Sequence, residues 1–293
     1  MNAAGLRARA AVLRAIRGWF DDHGFLEVPT PVLVPSPAME PQLFAVPAGD
    51  GFLRTSPEFA LKKVLAAGLP RIYEIGPCFR DRERGQWHGR EFLMLEWYRA
   101  GGGLSELIDD VRQLVAVSAA ALGVPSPVSW EEIPVRRLLQ RSINADIAKL
   151  SAVELSPRDG DDWDTAFFRR WVEDVEPTLT HPVFVTEWPA SQAALAQIRD
   201  DGEWPTACRF EGYLGGVELC NAFLELVDAT EQRRRFLASR ELRVAMGEDP
   251  HPLDESFIAA VGHLPPTAGI ALGVDRLVAA LCGWDGIENG RVA

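Results

Sequence analysis

The stretch Tyr73–Tyr98, YEIGPCFRDRERGQWHGREFLMLEWY, contains two apolar, β-prone runs separated by a charged loop. The loop is too long and too basic for a tight turn, which predicts an antiparallel hairpin whose loop faces a ligand. Arg80 follows the first run, while Glu96 and Tyr98 share one face of the second run because they are two residues apart. These side chains could line one groove, and a guanidinium suits a phosphate or a carboxylate. An ordinary surface ion-pair ladder is the alternative interpretation.

Length and composition indicate a globular chain. With 293 residues, 47% of them hydrophobic, the chain can bury the core of one large domain, and we expect a single domain over 1–293. The apolar runs are short and interrupted by charges, so no segment is expected to span a membrane. An Arg-bearing N-terminal stretch could be mistaken for a transit peptide, but apolar residues at helical spacing predict a structural helix and a cytoplasmic location. These residues are Leu6, Leu13, Ile16 and Phe20.

Charge and cysteine content argue against two classes of protein. The net charge is −12, with thirty Lys and Arg against forty-two Asp and Glu. Proteins that grip a long nucleic acid usually have a basic excess, so extensive tRNA contact is not expected. The four cysteines form no CxxC pair and no Cys/His ligand set, which predicts reduced thiols rather than a zinc site or disulfides. They are Cys78, Cys208, Cys220 and Cys282.

Two segments before the hairpin have recognisable local signals. Pro29 and Pro31 interrupt a strand-like run, so that strand is expected at a sheet edge or in an irregular segment. Ser56 is a suitable N-cap and Pro57 suits the first helical position, which predicts a helix over the next dozen residues. Glu58 lies in its first turn, where a carboxylate can stay ionised and meet an ammonium group.

A second hairpin, RFEGYLGGVELCNAFLELVDATEQ, carries several acids. A two-residue Gly-Gly turn predicts that Glu218 lies opposite Tyr213 and that Glu211 lies opposite Cys220, so both glutamates project to the same side. Two neighbouring carboxylates repel unless a cation lies between them, and oxygen ligands suit Mg²⁺ arriving with nucleotide phosphates. A solvated acidic face is the alternative.

The same strand places Asn221 and Glu225 at the opposite parity from Glu218. Either these two side chains face away, or a bulge between Leu219 and Phe223 turns the strand and brings them into the same pocket. The residues alone leave both possibilities open.

The last patterned segment is AGIALGVDRLVAAL. Small residues at Gly269, Ala271 and Gly273 alternate along a predicted strand, so a flat group such as adenine could lie on the bare backbone. Close packing alone could also explain the glycines. Arg276 then opens a helix. The segment 125–182 has a weaker pattern, which we interpret as a helical insertion.

Together these segments resemble the three motifs of the class II aminoacyl-tRNA synthetases, in particular the lysyl branch. The helix that leads through Gly24-Phe25 to Pro31 resembles motif 1, Phe79-Arg80 with His88 resembles motif 2, and Gly-x-Ala-x-Gly-x-Asp-Arg resembles motif 3. The resemblance implies an α+β fold, with a mostly antiparallel β-sheet flanked by helices, and a homodimer built through motif 1.

The resemblance also implies roles for individual residues. Arg80 and Arg276 would be catalytic, with Arg80 bridging the α-phosphate of ATP and the amino-acid carboxylate, and Glu211 and Glu218 would bind Mg²⁺. The residues implied for ATP binding are Arg80, Glu83, His88, Phe92, Glu218, Leu219, Gly273 and Arg276. Those implied for the amino acid are Ser56, Pro57, Glu58, Glu96, Tyr98, Asn221, Glu225 and Ala271. Glu58 would hold the α-amino group, and Glu225 with Tyr98 would receive the ε-ammonium of lysine, a buried charge that needs a partner.

Two features concern the acceptor of the activated amino acid. Motif 1 begins within the first thirty residues, which leaves no room in this chain for the N-terminal anticodon-binding domain of lysyl-tRNA synthetases. The segment 189–192, PASQ, resembles synthetase paralogues that modify elongation factor P. We therefore expect ATP-dependent activation of lysine or β-lysine and its transfer to a lysine side chain of elongation factor P. The alternatives are a free-standing ligase with another acceptor, or a non-catalytic paralogue that binds an amino acid or a partner.

The chain departs from the family pattern at three positions. Motif 2 usually reads Phe-Arg-x-Glu, but here Arg82 takes the place of the acid and Glu83 follows one position late. Gly89 replaces an Asn in the loop, and Ala271 replaces a glycine, which reshapes the amino-acid pocket. Adenine contact therefore depends on whether Glu83 substitutes for the missing acid.

Overall fold

A mostly antiparallel sheet forms the centre of the computed structural model, which describes residues 2–155, 160–200, 202 and 204–292. Within these residues its strand order is β1-β5-β6-β12-β11-β10-β8-β7, and β9 pairs with β10 beside this row. Only β1 with β5 and β7 with β8 pair in parallel. The strands of this sheet are β1 (Leu26–Glu27), β5 (Arg71–Phe79), β6 (Glu91–Ala100), β7 (Glu131–Pro134), β8 (Val183–Pro189), β9 (Ile198–Arg199), β10 (Thr206–Leu214), β11 (Val217–Leu224) and β12 (Thr267–Gly273).

A smaller antiparallel sheet has the order β2-β4-β3. Its strands are β2 (Leu33–Val34), β3 (Val46–Ala48) and β4 (Gly51–Leu53). Pro29 and Pro31 lie between β1, at the edge of the large sheet, and β2, in the small one. Of the alternatives expected, an edge strand is the one observed for β1, and the prolines follow it outside any strand because proline cannot donate to a central ladder.

Helices cover both faces of the large sheet. They are α1 (Ala3–Asp22), α2 (Glu58–Ala66), α3 (Leu104–Leu122), α4 (Val135–Ile143), α5 (Ala152–Leu155), α6 (Trp163–Arg170), α7 (Ala229–Ala245), α8 (Glu255–Val261) and α9 (Val274–Leu281). On one face, Phe20 of α1 and Val111 of α3 pack with Trp97 in a fully buried core. On the other, α2 and α8 bury Leu61 and Phe257. This arrangement confirms the predicted α+β fold.

The start of α2 differs from the prediction by one residue. Ser56 was expected to be the N-cap, but Pro57 holds that position with φ −79° and ψ 0°. The Ser56 hydroxyl still accepts from the Glu58 N–H over 3.0 Å, and it also donates to Glu96 over 2.7 Å. The Ser56 hydroxyl donates its proton to Glu96 of β6, so Ser56 connects the start of α2 to the large sheet.

The segment predicted as a helical insertion contains helices α4, α5 and α6 and also a strand. The sequence pattern missed β7, which pairs with β8 and extends the large sheet. Phe167 of α6 and Trp171 pack against Trp188 of β8 in a core of their own. The insertion is therefore bound to the sheet by both backbone pairing and aromatic packing.

Two further features concern the cysteines and the helices of the described residues. All four cysteines are free thiols, as predicted. None of the described helices combines the length and the apolar character needed to cross a bilayer.

Candidate active site

The loop between β5 and β6 begins with Arg80. Its N–H donates to the Arg90 carbonyl over 2.9 Å, which extends the predicted hairpin by one bond. The guanidinium lies over the Phe92 ring, 5.1 Å from its centroid, and donates to Glu83 Oε1 over 3.1 Å. Its Nε is buried and bonds no atom of the described structure. The Arg80 side chain as a whole is 24% exposed, so its outer nitrogens can donate to an anionic ligand.

Arg276 connects three parts of the same site. It is the third residue of α9, and its Nε donates to the Trp87 carbonyl over 3.1 Å. Its Nη1 donates to Glu218 Oε2 over 3.1 Å, and its Nη2 lies 2.6 Å from His88 Nε2. A guanidinium can only donate, so His88 accepts at Nε2. Burial, and then Arg276, lower the pKa of His88 and keep it neutral.

These side chains surround a cavity of about 310 Å³. Every residue predicted to bind ATP lines it, namely Arg80, Glu83, His88, Phe92, Glu218, Leu219, Gly273 and Arg276. Asn221 and Ala271, predicted for the amino acid, line it as well. The volume is that of a small-molecule site. Residues from strands β6, β11 and β12, from the loop after β5 and from helix α9 therefore converge where a nucleotide was expected.

The register of β10 and β11 corrects one expectation. Tyr213 pairs with Glu218 as predicted, but Glu211 pairs with Asn221 and not with Cys220. The reason is a bulge at Leu219, the first position of the interval in which a bulge was considered. The extra residue reverses the parity of the rest of β11, so Asn221 shares a face with Glu211 and Glu218.

Arg209 organises that face, although the sequence analysis did not select it. Its Nε donates to Asn221 Oδ1 over 3.0 Å, and its Nη2 bonds Glu211. The Tyr213 hydroxyl donates to the other oxygen of Glu211 over 2.6 Å. Burial raises the pKa of Glu211 to about 7, Arg209 opposes this rise, and Glu218 adds to it by like-charge repulsion.

Largely buried acids predicted for the amino acid lie beside the cavity, because Glu96 pairs with Ala271 of the cavity lining; this cluster of Glu58, Glu96 and Glu225 is called the acidic pocket below. Glu96 is 2% exposed and accepts from the Ser56 hydroxyl over 2.7 Å and from the Tyr98 hydroxyl over 2.6 Å. Burial, and then the charge of Glu58, raise the pKa of Glu96 to about 8. At neutral pH this carboxyl is therefore largely protonated.

Glu58 and Glu225 lie on either side of a buried lysine, Lys62, which no sequence pattern indicated as part of the site. Lys62 Nζ is 2.5 Å from Glu58 Oε1 and 2.6 Å from Glu225 Oε2. The two acids that were predicted to receive the two amino groups of a substrate are thus close together in space. Positions 58 and 225 are 167 residues apart in the chain, so only the fold could bring these two acids together.

Gly269 explains the position of Glu225 and Tyr98. A Cβ at this glycine would lie 2.2 Å from Glu225 Oε1 and 2.2 Å from Tyr98 Cε1. Both side chains therefore cover the strand backbone here, and any larger residue would displace them. The bare face expected along β12 is limited to its Ala271 and Gly273 end, which lines the cavity.

Comparison with known proteins identifies the family. A family model described as tRNA synthetases class II (D, K and N) matches residues 2–291. The chain belongs to this family. Three relatives of this class II synthetase are each called elongation factor P--(R)-beta-lysine ligase. The protein from Hamiltonella defensa subsp. Acyrthosiphon pisum is 38% identical, with 94% of this chain and 90% of the relative covered. The Proteus mirabilis protein is 38% identical (98% and 94%), and the Edwardsiella ictaluri protein is 39% identical (94% and 90%). The predicted family and ligase class are confirmed.

The altered motif 2 of this class II synthetase has a clear structural outcome. Arg82 points away from the cavity. Its guanidinium lies 3.7 Å from the centre of the Phe44 ring and pairs with Glu248 at 2.8 Å. Glu83 lines the cavity and bonds Arg80. Glu83, and not the residue at position 82, is therefore the side chain of this pair that reaches the cavity.

Gly89, which replaces the motif 2 Asn, also has a neighbour that the sequence pattern did not indicate. A Cβ at this position would lie 2.4 Å from Arg291 Nη1. Arg291 bonds the Glu91 carbonyl from the far end of the chain. A guanidinium therefore fills the space that a larger side chain would need. A C-terminal arginine has no sequence periodicity that could have signalled this contact.

The synthetase family typically uses Mg²⁺, and the acidic hairpin offers suitable chemistry. Glu218 lines the cavity, and Glu211 lies on the same face with a carboxylate that Glu218 repels. Hard oxygen donors of this kind suit Mg²⁺. Among the described residues, no group of three or more His, Cys, Asp or Glu could hold a metal by itself. The two acids therefore fit an ion whose remaining ligands are phosphate oxygens and water.

Proposed function

We propose that this class II synthetase activates lysine or β-lysine with ATP and transfers it to a lysine side chain of elongation factor P. The single observation that supports this most strongly is the convergence of all residues predicted for ATP on one cavity of about 310 Å³, beside a buried acidic pocket. The names of the relatives support β-lysine as the amino acid and elongation factor P as the acceptor.

In the first step the substrate carboxylate attacks the α-phosphorus of ATP, a P–O bond forms, and pyrophosphate leaves. Arg80, whose side chain lines the cavity, is suited to bind the α-phosphate and the carboxylate together. Arg276 and the neutral His88 beside it are suited to the pyrophosphate side. Mg²⁺, when bound at Glu218 and Glu211, would supply positive charge that stabilises the displaced phosphates. A carboxylate is already a nucleophile, so this step needs no general base.

The acidic pocket would select the amino acid. Glu58 would hold the backbone amino group, and Glu225 with Tyr98 would receive the side-chain ammonium, since a buried cation needs an anionic partner. Ala271, where tRNA-charging relatives carry glycine, reduces the space beside Asn221. In the second step the acceptor amine attacks the carbonyl carbon of the adenylate, an amide bond forms, and AMP leaves.

ATP–pyrophosphate exchange with a panel of amino acids tests the first step. Lysine or β-lysine should drive exchange, and Arg80→Ala should reduce its rate by about a hundredfold to a thousandfold, as is typical for loss of a transition-state donor. A protein that exchanges with none of the amino acids would contradict the proposal and favour an amino-acid-binding paralogue.

The acceptor is tested separately. Purified elongation factor P and bulk tRNA are offered together with radiolabelled amino acid and ATP, and label is followed into protein and RNA. Label in elongation factor P alone is the expected result. Label in tRNA, or in neither, would show another acceptor. The acidic net charge of −12 agrees with weak tRNA contact. Cytoplasmic location and the homodimer are part of this proposal.

A further inference from the structure

Lys62 is a buried lysine that the proposed chemistry does not use. Its side chain is 1% exposed, and it lies on α2 one turn after Glu58. One ammonium group contacts Glu58 Oε1 at 2.5 Å and Glu225 Oε2 at 2.6 Å. It therefore links the first turn of α2 to the residue that follows β11, two elements that are far apart in the chain.

The surroundings keep Lys62 charged. Burial by itself would lower its pKa, but Glu225 and then Glu58 outweigh burial and raise it above the ordinary value. Glu40 and Glu96 face the same group, and burial followed by the charge of Glu58 raises the pKa of both carboxyls. Glu58 and Glu225, the two acids that pair with Lys62, share one ammonium group, so their charge is not fully balanced, and lysine or β-lysine brings two ammonium groups.

In the described part of the chain, no other side chain holds the two acids in place. Within the described residues, Lys62 is the only side chain that forms a hydrogen bond or an ion pair with the carboxylate of Glu58 or Glu225. Without Lys62 the two carboxylates would repel each other, and both long side chains would regain rotamer freedom. A site that recognises two charges at a set distance needs supporting groups of this kind.

We propose that Lys62 is a positioning residue that fixes the spacing of Glu58 and Glu225 and thereby sets the length of the diamino acid that the pocket accepts. This inference rests on the proposed function, in which the two acids receive the two ammonium groups of the substrate. Lys62 occupies one oxygen of each carboxylate. The second oxygen of Glu225, Oε1, lies over Gly269 beside Tyr98, where a substrate ammonium would be received.

The test compares lysine with ornithine, which is one methylene shorter, in ATP–pyrophosphate exchange. Lys62→Met removes the charge and keeps the volume. It should reduce the lysine-to-ornithine ratio of kcat/KM at least tenfold, mainly through KM for lysine. Lys62→Arg keeps the charge but changes the distance between the acids, so it should also shift the ratio. The matched control is Lys63→Met, because Lys63 is 35% exposed and pairs with Asp254 at 2.6 Å, outside the pocket.

The outcomes separate a positioning role from a purely structural one. If Lys62→Met has lower activity but an unchanged lysine-to-ornithine ratio, Lys62 only stabilises the fold. If Lys62→Met does not fold, an unchanged ratio in Lys62→Arg would show the same. If the wild-type protein catalyses no exchange, the proposed function fails. In that case calorimetry measures the ratio of lysine to ornithine affinities in the wild type and in Lys62→Met. Equal ratios in the two proteins, or no binding, would overturn the inference.

Discussion

Arg82 and Glu83 show how one position in a loop decides which side chain reaches a site. Arg82 stacks on Phe44 and pairs with Glu248, so its contacts hold the loop against the rest of the molecule. Glu83 bonds Arg80 and lines the cavity. In a loop without a fixed period, the residue type at a position does not determine where its side chain points.

We therefore expect Glu83→Gln to raise KM for ATP about tenfold, the effect of losing roughly 1.4 kcal/mol from a charge-assisted hydrogen bond. Arg82→Ala should change KM less than threefold, because an exposed ion pair contributes little. Steady-state exchange kinetics at varied ATP measure both. A larger effect of Arg82→Ala than of Glu83→Gln would contradict the assignment.

The raised pKa of Glu96 predicts that the stability of the folded protein depends on pH. This pKa is raised from an ordinary 4.5 to about 8 by burial and by Glu58, so the folded state retains a proton that the unfolded state releases. The resulting stability is fully present below pH 4.5 and is lost as pH rises through 8. Each retained proton contributes a slope of at most about 1.4 kcal/mol per pH unit.

Glu96→Gln removes this titration while keeping a group that can bond Ser56 and Tyr98. The free energy of unfolding of the wild type minus that of the variant should fall between pH 5 and pH 8. Urea unfolding at several pH values measures the difference. Two curves that remain parallel over this range would show that Glu96 is ionised in the folded state.

At the scale of elements, strands β11 and β12 place the substrate-binding acids. The bulge at Leu219 reverses the parity of the rest of β11, so Asn221 faces the cavity. The strand then ends at Leu224, and Glu225 is the next residue. The adjacent strand provides Gly269, whose missing side chain leaves space for Glu225 and Tyr98. A bulge and a glycine on neighbouring strands together shape one wall of the pocket.

Gly269→Ala should therefore weaken amino-acid binding. Its Cβ would lie 2.2 Å from Glu225 and from Tyr98, so both must move, and KM for lysine should rise at least tenfold while KM for ATP changes little. Gly273→Ala, on the same strand, is the control, since its Cβ would be 3.5 Å from Arg276, an ordinary contact. Equal effects of the two variants on lysine binding would argue against this account.

At the scale of the whole molecule, the segment that resembles motif 1 exposes apolar side chains. Leu26 is 51% exposed and Leu33 is 53% exposed, on either side of Pro29 and Pro31. The two residues lie in one short segment of the chain, and grouped exposed apolar residues mark interaction surfaces more often than single ones do. We expect these residues to contribute to the predicted homodimer interface.

Light scattering after size exclusion measures the state directly. The wild type should have about twice the chain mass of 32.3 kDa, and Leu33→Asp should shift it toward the monomer. Val128→Asp, at an apolar residue that is fully exposed, should leave the mass unchanged. A wild-type mass of one chain would rule out the dimer.

The sequence by itself determined the elements whose signals are local. The two runs of Tyr73–Tyr98 paired as predicted, α2 began within one residue of its expected start, and the small residues of β12 led into the helix of Arg276. Period-two alternation, helix-start residues and glycine patterns act over a few neighbours, so they can be read without the fold.

Tertiary structure alone decided the contacts between distant segments. The bulge at Leu219 set the register of β11, β7 joined the sheet through its pairing with β8, and Lys62 met Glu225. Local sequence settles none of these, and it left the bulge as one of two possibilities, because each depends on which surfaces the packed core brings together. The single-domain interpretation and the roles of the site residues remain predictions, whereas the convergence of those residues on one cavity is a property of the folded chain.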